Sequence, residues 1–443
     1  MTDNSIRIPK GWQAGDADKI AFRNARLYDP ANNIDQIADL VIEDGKVFAV
    51  GSIPAGWDGK LVEASGWLIT PGLFDMHVHL REPGQEHKET VKTGCMAAIA
   101  GGFTGVACMP NTSPPIDDIS IVEMIRERAE LLPVDVHPVP AVTRGRKGDE
   151  LSEIGEMVDG GVTGFTDDGS PVESAGLMRN ALEYTKMFNA VMIEHCEDRD
   201  LVGSGVMHEG ETSTQLGLPG WPSIGEEVAV ARNIQLADFT GGRIHIAHIS
   251  TAGSAELVRQ AKARGVKVTA EVTPHHLTLD CSLLKGYDTN YKVNPPLRSA
   301  EDVRAMIEAL KDGTIDAIAT DHAPHAHDEK EVEFLFAPFG MVGLETAFSI
   351  ILTKLVNPGE LSLERAIDAM VNAPRRILNL TQPGIVQGVA ANLSIFNPEE
   401  EWVVDNASFL SKSRNTPFHG WSLKGKACGV VNKNLYWLRA NGQ

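Results

Sequence analysis

Residues 75–84 read DMHVHLREPG, Asp75 to Gly84, and they follow an apolar run from Trp67 to Phe74, WLITPGLF. The run predicts a short buried strand that opens onto a polar loop ended by Pro83 and Gly84. His77 and His79 are two apart, and side chains two apart on a strand project from one face. If that strand lines a barrel, both imidazoles point into its mouth, where a metal could join them to ligands from other strands. Metal motifs on helices space their histidines by four, so this pair implies its own secondary structure. His325 and His327 repeat the spacing. The first pair stands apart because of the ordered series of polar residues that follows it between Met109 and His325.

Outward from this stretch, residues 71–380 alternate between two patterns. Strand candidates fall at 73–79, 104–109, 134–139, 162–167, 190–195, 243–249, 266–273 and 315–320. Helical patterns lie between them, among them 120–132 and 255–265, the latter ending in Gly265 where a C-cap belongs. Eight strands alternating with helices predict a parallel sheet, and eight is the number that closes a (β/α)8 barrel. The alternative is an open doubly wound sheet. The lack of a Gly-rich phosphate turn after the first strand counts against it.

Both ends of the chain read as β-rich. Asp44-Gly45 is a hairpin turn between short apolar runs, and the stretches 392–396, 401–404 and 429–437 look similar. Two such ends around a different middle predict a small β-sandwich built from residues 1–70 and 381–443, beside a hydrolase barrel of residues 71–380.

A chain of 443 residues, 42% hydrophobic, can bury a large core. Its formal charge of −20 argues against a nucleic-acid or anionic-membrane binder, which needs basic clusters. It leaves room for an anionic substrate at a locally positive site. Five scattered cysteines without a C-x-x-C pair predict reduced thiols in a cytosolic protein. Neither a signal peptide nor an apolar run of about 20 residues is present, so a soluble, cytoplasmic protein is expected.

Polar residues gather where the predicted strands end. The first strand ends in His77 and His79, the fourth in Asp167-Asp168-Gly169, the fifth in Glu194 to Asp198, the sixth in His245 to His248 and the eighth in Thr320 to His325. Barrel enzymes keep their active sites at these ends. Imidazole and carboxylate without cysteine suit Zn²⁺ in a catalytic site. The predicted ligands are His77, His79, His195 and His248, with Asp168 and Asp321 as carboxylates. Alternation turns His245 away from His248, as a packing residue, and Asp167 away from Asp168. His325 and His327 fall in a polar loop, their spacing incidental to metal binding. His275 and His276 read by default as loop histidines of open role.

Together HVHLREPG (77–84), MPNT (109–112), FTDDG (165–169), IEHCED (193–198), HIST (248–251), NPPLR (294–298) and TDHAPH (320–325) resemble the dihydroorotases. The likeness is to the longer bacterial class within the metal-dependent amidohydrolases, in order over nearly the whole chain. It implies a distorted (β/α)8 barrel with a flanking β-sandwich and one or two Zn²⁺ per subunit, two being expected. It implies the reversible cyclisation of N-carbamoyl-L-aspartate to L-dihydroorotate in de novo pyrimidine synthesis. A metal-bound hydroxide would act there, with Asp321 as general base and then acid. Many amidohydrolases bridge two metals with a carboxylated lysine after strand four. This chain has Asp-Asp-Gly there, so Asp168 is expected to bridge.

Arg81, two residues beyond His79, can grip the substrate α-carboxylate as a bidentate fork. The resemblance adds His79, Asn111, Asn294 and His325 as substrate contacts, with Phe339 and Gly340 in a loop covering the ring. A homo-oligomer, a dimer first, is expected, with aspartate transcarbamoylase as a candidate partner. The rivals are another cyclic amidase, such as allantoinase or a hydantoinase (dihydropyrimidinase), and an inactive scaffold for aspartate transcarbamoylase. The first group shares H-x-H but typically keeps the lysine and lacks the combined LREPG, MPNT and NPPLR signature. Retention of all six ligand candidates opposes the second.

Overall fold

Leu73–Val78 (β1) is buried at all six positions, as a strand covered on both faces must be. The structure is a computed structural model and describes residues 8–440. Seven more strands follow β1 in the ring: Phe103–Cys108 (β2), Asp135–Pro138 (β3), Gly164–Phe165 (β4), Val191–Glu194 (β5), Ile244–Ile246 (β6), Val268–Val272 (β7) and Ala317–Ile318 (β8). β1 to β3 form one parallel set and β4 to β8 a second. Backbone hydrogen bonds close the gaps between the sets. Thr166 N donates to Pro140 O at 3.0 Å, and His79 N donates to His322 O at 2.8 Å. The result is a distorted (β/α)8 barrel.

A helix follows each strand, and helical periodicity decides which face it buries. Ala252–Ala263 is typical. Thr251 caps it by accepting from Ser254 N, Ala255, Val258 and Ala261 face inward, and Gly265 (φ +81°) ends it in the left-handed conformation. The cap starts the helix three residues before the apolar pattern does. Inside the ring lie Phe74, Met76, Val191, Ile193 and Ala317, joined by Ile377 and Leu378 from the end of the last helix, Leu363–Ile377. Burying such side chains is worth roughly 1.5–3 kcal/mol each.

Three strands keep less than half of their apolar runs. β4 keeps two residues of 162–167, β6 three of 243–249 and β8 two of 315–320. Their polar ends leave the ladder to enter the barrel mouth. His248 (φ +29°) and Asp321 (φ +48°) adopt left-handed backbone to do so.

The two chain ends interleave in one nine-stranded sheet. Leu393–Val403 pairs antiparallel with Leu68–Pro71 on one side and Ser422–Asn432 on the other. Strands near the two extremes of this sheet share a core of their own, with Val47 and Leu438 in one cluster alongside Phe22, Leu40, Ile395 and Val431. The sheet therefore folds over itself as a sandwich. Gly72 carries the chain from sheet to barrel, and a Cβ there would fall 2.0 Å from Asn392 Oδ1 and from Thr104 Oγ1. Only glycine fits that crossing. Among the described residues, no helix is long and apolar enough to cross a membrane.

Candidate active site

The two histidines of β1 are each fixed through one nitrogen and present the other. His77 Nδ1 donates to Glu271 Oε1 at 2.7 Å, which leaves Nε2 3.2 Å from Asp168 Oδ1. His79 Nδ1 donates to Asn111 Oδ1 at 2.7 Å, which leaves Nε2 2.9 Å from Asp321 Oδ1. An outer partner that fixes ring and tautomer is the usual arrangement of a metal-binding histidine.

Two donor groups result, His77 with Asp168 and His248, and His77 with His79 and Asp321. Asp168 lies between them, its Oδ1 3.8 Å from His248 Nε2 and its Oδ2 3.7 Å from His79 Nε2. His195 stands one imidazole further out, with Nδ1 3.0 Å from His248 Nε2 and Nε2 3.0 Å from Glu197 Oε2. His245 and Asp167 are in neither group. Asp167 turns away as alternation requires and accepts from Thr143 N at 3.0 Å.

His245 overturns the facing argument. Its Nε2 lies 3.2 Å from Glu271 Oε2, whose Oε1 accepts from His77, and the His248 ring centroid lies 5.0 Å from that of His77, so both histidines turn to the same side. Strict alternation fails because the ladder ends at Ile246 and His248 leaves it with positive φ. His275 and His276 lie in the turn after β7, as loop residues, and both are buried. His276 Nε2 donates to Pro295 O at 3.0 Å and braces the segment that carries Asn294.

The electrostatics fit a divalent cation. Among the described residues, His77 Nε2 is buried without a hydrogen-bond partner, although Asp168 is close. Burial alone would lower the His77 pKa, but Asp168 and Glu271 override it and hold the ring well above the ordinary imidazole range. Burial likewise opposes ionisation of Asp321, yet the His79 hydrogen bond and the His77 charge bring its pKa down to about 2. The carboxylates thus hold negative charge opposite the His77 and His79 nitrogens. Imidazole and carboxylate donors of this kind suit zinc.

Above these groups is a cavity of about 170 Å³. Its lining brings Arg81, Asn111, Asn294, His325, Phe339 and Gly340 together with His79, Asp168, His195, His248 and Asp321. Arg81 is buried, spends Nε on Pro324 O at 3.1 Å, and is lowered by burial to about 10, so it stays charged. Among the described residues, Asn294 Oδ1 has no hydrogen-bond partner. His325 Nε2 donates to Phe339 O at 2.8 Å, whereas His327 is exposed, its Nε2 3.0 Å from Glu331 Oε1. The LREPG and MPNT stretches meet at Gly84 (φ +90°), where a Cβ would strike the Ser113 carbonyl.

Glu271 and Asp75 were not in the predicted site. Asp75 is fully buried, accepts from His77 N and Thr320 N at 3.1 Å each, and is pushed by burial up to about 7. Both are lone acids inside apolar strands, and that was the available signal. Glu271→Gln is expected to weaken cation binding by about 10- to 100-fold, as loss of an outer-sphere partner does, with the fold intact. Chelator competition measures it; unchanged affinity would remove Glu271 from this role.

Residues 66–254 match the family model described as dihydro-orotase-like. A dihydroorotase of Pelotomaculum thermopropionicum is 52% identical over 407 residues, 92% of this chain and 95% of that protein. One from Thermoanaerobacter sp. is 52% identical over 404 residues, 91% of this chain and 94% of that protein. Among solved structures, the L-hydantoinase of Arthrobacter aurescens superposes with a TM-score of 0.82 at 26% identity, covering 94% of this chain and 96% of its own. The barrel is thus shared with hydantoinases, while half of all aligned positions are shared with proteins named dihydroorotase. This chain belongs to the dihydroorotase family and is a cyclic amidohydrolase.

Proposed function

We propose that the protein interconverts N-carbamoyl-L-aspartate and L-dihydroorotate, a step of de novo pyrimidine synthesis, with zinc as its cation. One observation carries this reading: the residues suited to hold a carboxylate-bearing ring share a single cavity with the imidazole and carboxylate donors. His77, His79, Asp168, His195, His248 and Asp321 would hold one or two ions, Asp168 lying between the two donor groups. A bound ion supplies Lewis-acid polarisation of the scissile carbonyl and activation of water.

The remaining work falls to the chain. Arg81 binds the α-carboxylate through the terminal nitrogens left free of Pro324 O. Asn294 Oδ1, without a hydrogen-bond partner among the described residues, accepts from a ring or ureido N–H. Phe339 and Gly340 cover the ring and exclude water. Asp321 is anionic throughout the neutral range and opens on the same cavity. In ring opening it takes a proton from the attacking water and returns it to the departing nitrogen; ring closure reverses both transfers.

Arg81→Ala is expected to lower kcat/KM about tenfold to 150-fold with normal metal content, the cost of losing a charge-assisted bond of about 1.5–3 kcal/mol. Steady-state kinetics on dihydroorotate beside elemental analysis measures this. An unchanged kcat/KM would take Arg81 out of the substrate site and favour a hydantoinase-like pocket.

A further inference from the structure

The segment that brings Phe339 and Gly340 to the cavity belongs to neither sheet nor helix. Its backbone is held by side-chain donors. Lys292 Nζ donates to Phe334 O at 2.8 Å and Leu335 O at 3.0 Å. Lys330 Nζ donates to Pro338 O at 2.7 Å, to Thr289 O at 3.0 Å and to Lys292 O at 3.5 Å. His325 takes Phe339 O, and Asn415 Nδ2 takes Gly340 O at 3.2 Å. Five carbonyls between Phe334 and Gly340 are therefore turned inward onto side chains.

The two lysines are unusual in their surroundings. Lys292 is 2% exposed and Lys330 6%, yet among the described residues neither has a carboxylate within ion-pair distance. Buried ammonium groups are ordinarily paired. Here carbonyl dipoles solvate them, and the rings of Phe334 and Phe339 flank Lys292 at 5.4 and 4.7 Å. Two buried amines thus stand without an ion-pair partner behind a wall of the cavity, where a bound anion favours their charged form.

The geometry points to Lys292 and Lys330 as positioning residues that hold this lid segment over the cavity and, by their unpaired charge, favour the dianionic open-chain substrate over the monoanionic ring. This rests on the function proposed above. N-carbamoyl-L-aspartate carries two carboxylates and dihydroorotate one, so an added positive field acts more strongly on the former. Burial pulls Lys292 down to about 8 and Lys330 to about 7, a penalty that a bound dianion relieves. The field reaches the cavity: after burial and Arg81, Lys330 adds to the depression of His325 to about 2.

The test uses the zinc-loaded full chain with Lys292→Met and Lys330→Met, and with Lys→Gln at each position, which keeps N–H donors without charge. The overall equilibrium fixes the ratio of kcat/KM in the two directions, so discrimination must be read in the separate KM values. Removing either charge is expected to raise KM for carbamoyl aspartate about tenfold and KM for dihydroorotate distinctly less, with zinc content unchanged. Lys→Met should also speed amide exchange at Phe336, Ala337 and Gly340, and leave β1 to β8 protected. Equal rises in both KM values, or unchanged KM, would overturn the charge role; unchanged exchange at the lid, or faster exchange throughout the barrel, would overturn the positioning role. Exchange needs no substrate, so an unsubstituted chain inactive on both compounds would count against the functional reading while the lid is still judged.

Discussion

Asp321→Asn is expected to reduce turnover in both directions by about 10²- to 10⁴-fold, the usual contribution of a positioned proton carrier. The substitution isolates the proton. Asn matches Asp in shape and also accepts the positive φ of 48° found here, so the backbone at the end of β8 is not strained by the change. An amide oxygen can still stand as a donor atom beside His79 Nε2, 2.9 Å from the carboxylate it replaces, but it cannot take a proton from water. The unsubstituted enzyme should show opposite pH trends. Ring closure turns a dianion into a monoanion and water and so consumes a proton, whereas ring opening releases one. Opening should rise with pH and closure should rise as pH falls. Their apparent pKa belongs to the coupled unit around Asp321 and not to that carboxyl alone. Parallel profiles, or an Asn variant that keeps most of its activity, would contradict the assignment.

Asp168→Ala carries the second large effect. Among the described residues this is the carboxylate within 4 Å of His77, His79 and His248 together, so its loss touches both donor groups at once. Removal should cost more than the roughly 100-fold upper range for an outer-sphere partner such as Glu271. Elemental analysis is expected to show loss of bound cation, with activity falling in step. Metal content equal to that of the unsubstituted protein would show that Asp168 is not a ligand. Asp167→Ala is the matched control, since that side chain faces Thr143, and it should retain the cation.

The barrel was legible because its strands are apolar runs that end in polar residues, a pattern that survives without any knowledge of packing. The spacing of His77 and His79 placed both on one face, and alternation separated Asp168 from Asp167 correctly. Alternation failed at His245 and His248, where a left-handed residue beyond the strand end restores a shared direction that the sequence alone does not display. Glu271 and Asp75 looked like polar interruptions of apolar strands, and only the ring closure brings them under His77. The lysines behind the lid carry no sequence signature. Their partners are backbone carbonyls of Thr289, Phe334, Leu335 and Pro338, and a carbonyl is the same at every residue.

The most direct test is one assay on the purified protein: conversion of L-dihydroorotate to N-carbamoyl-L-aspartate before chelation, after chelation, and after zinc is returned. Turnover that is lost on stripping and restored by Zn²⁺ is expected. Full activity in metal-free protein, or hydrolysis of hydantoin with none of dihydroorotate, would contradict a zinc-dependent dihydroorotase built on His77, His79, Asp168, His195, His248 and Asp321.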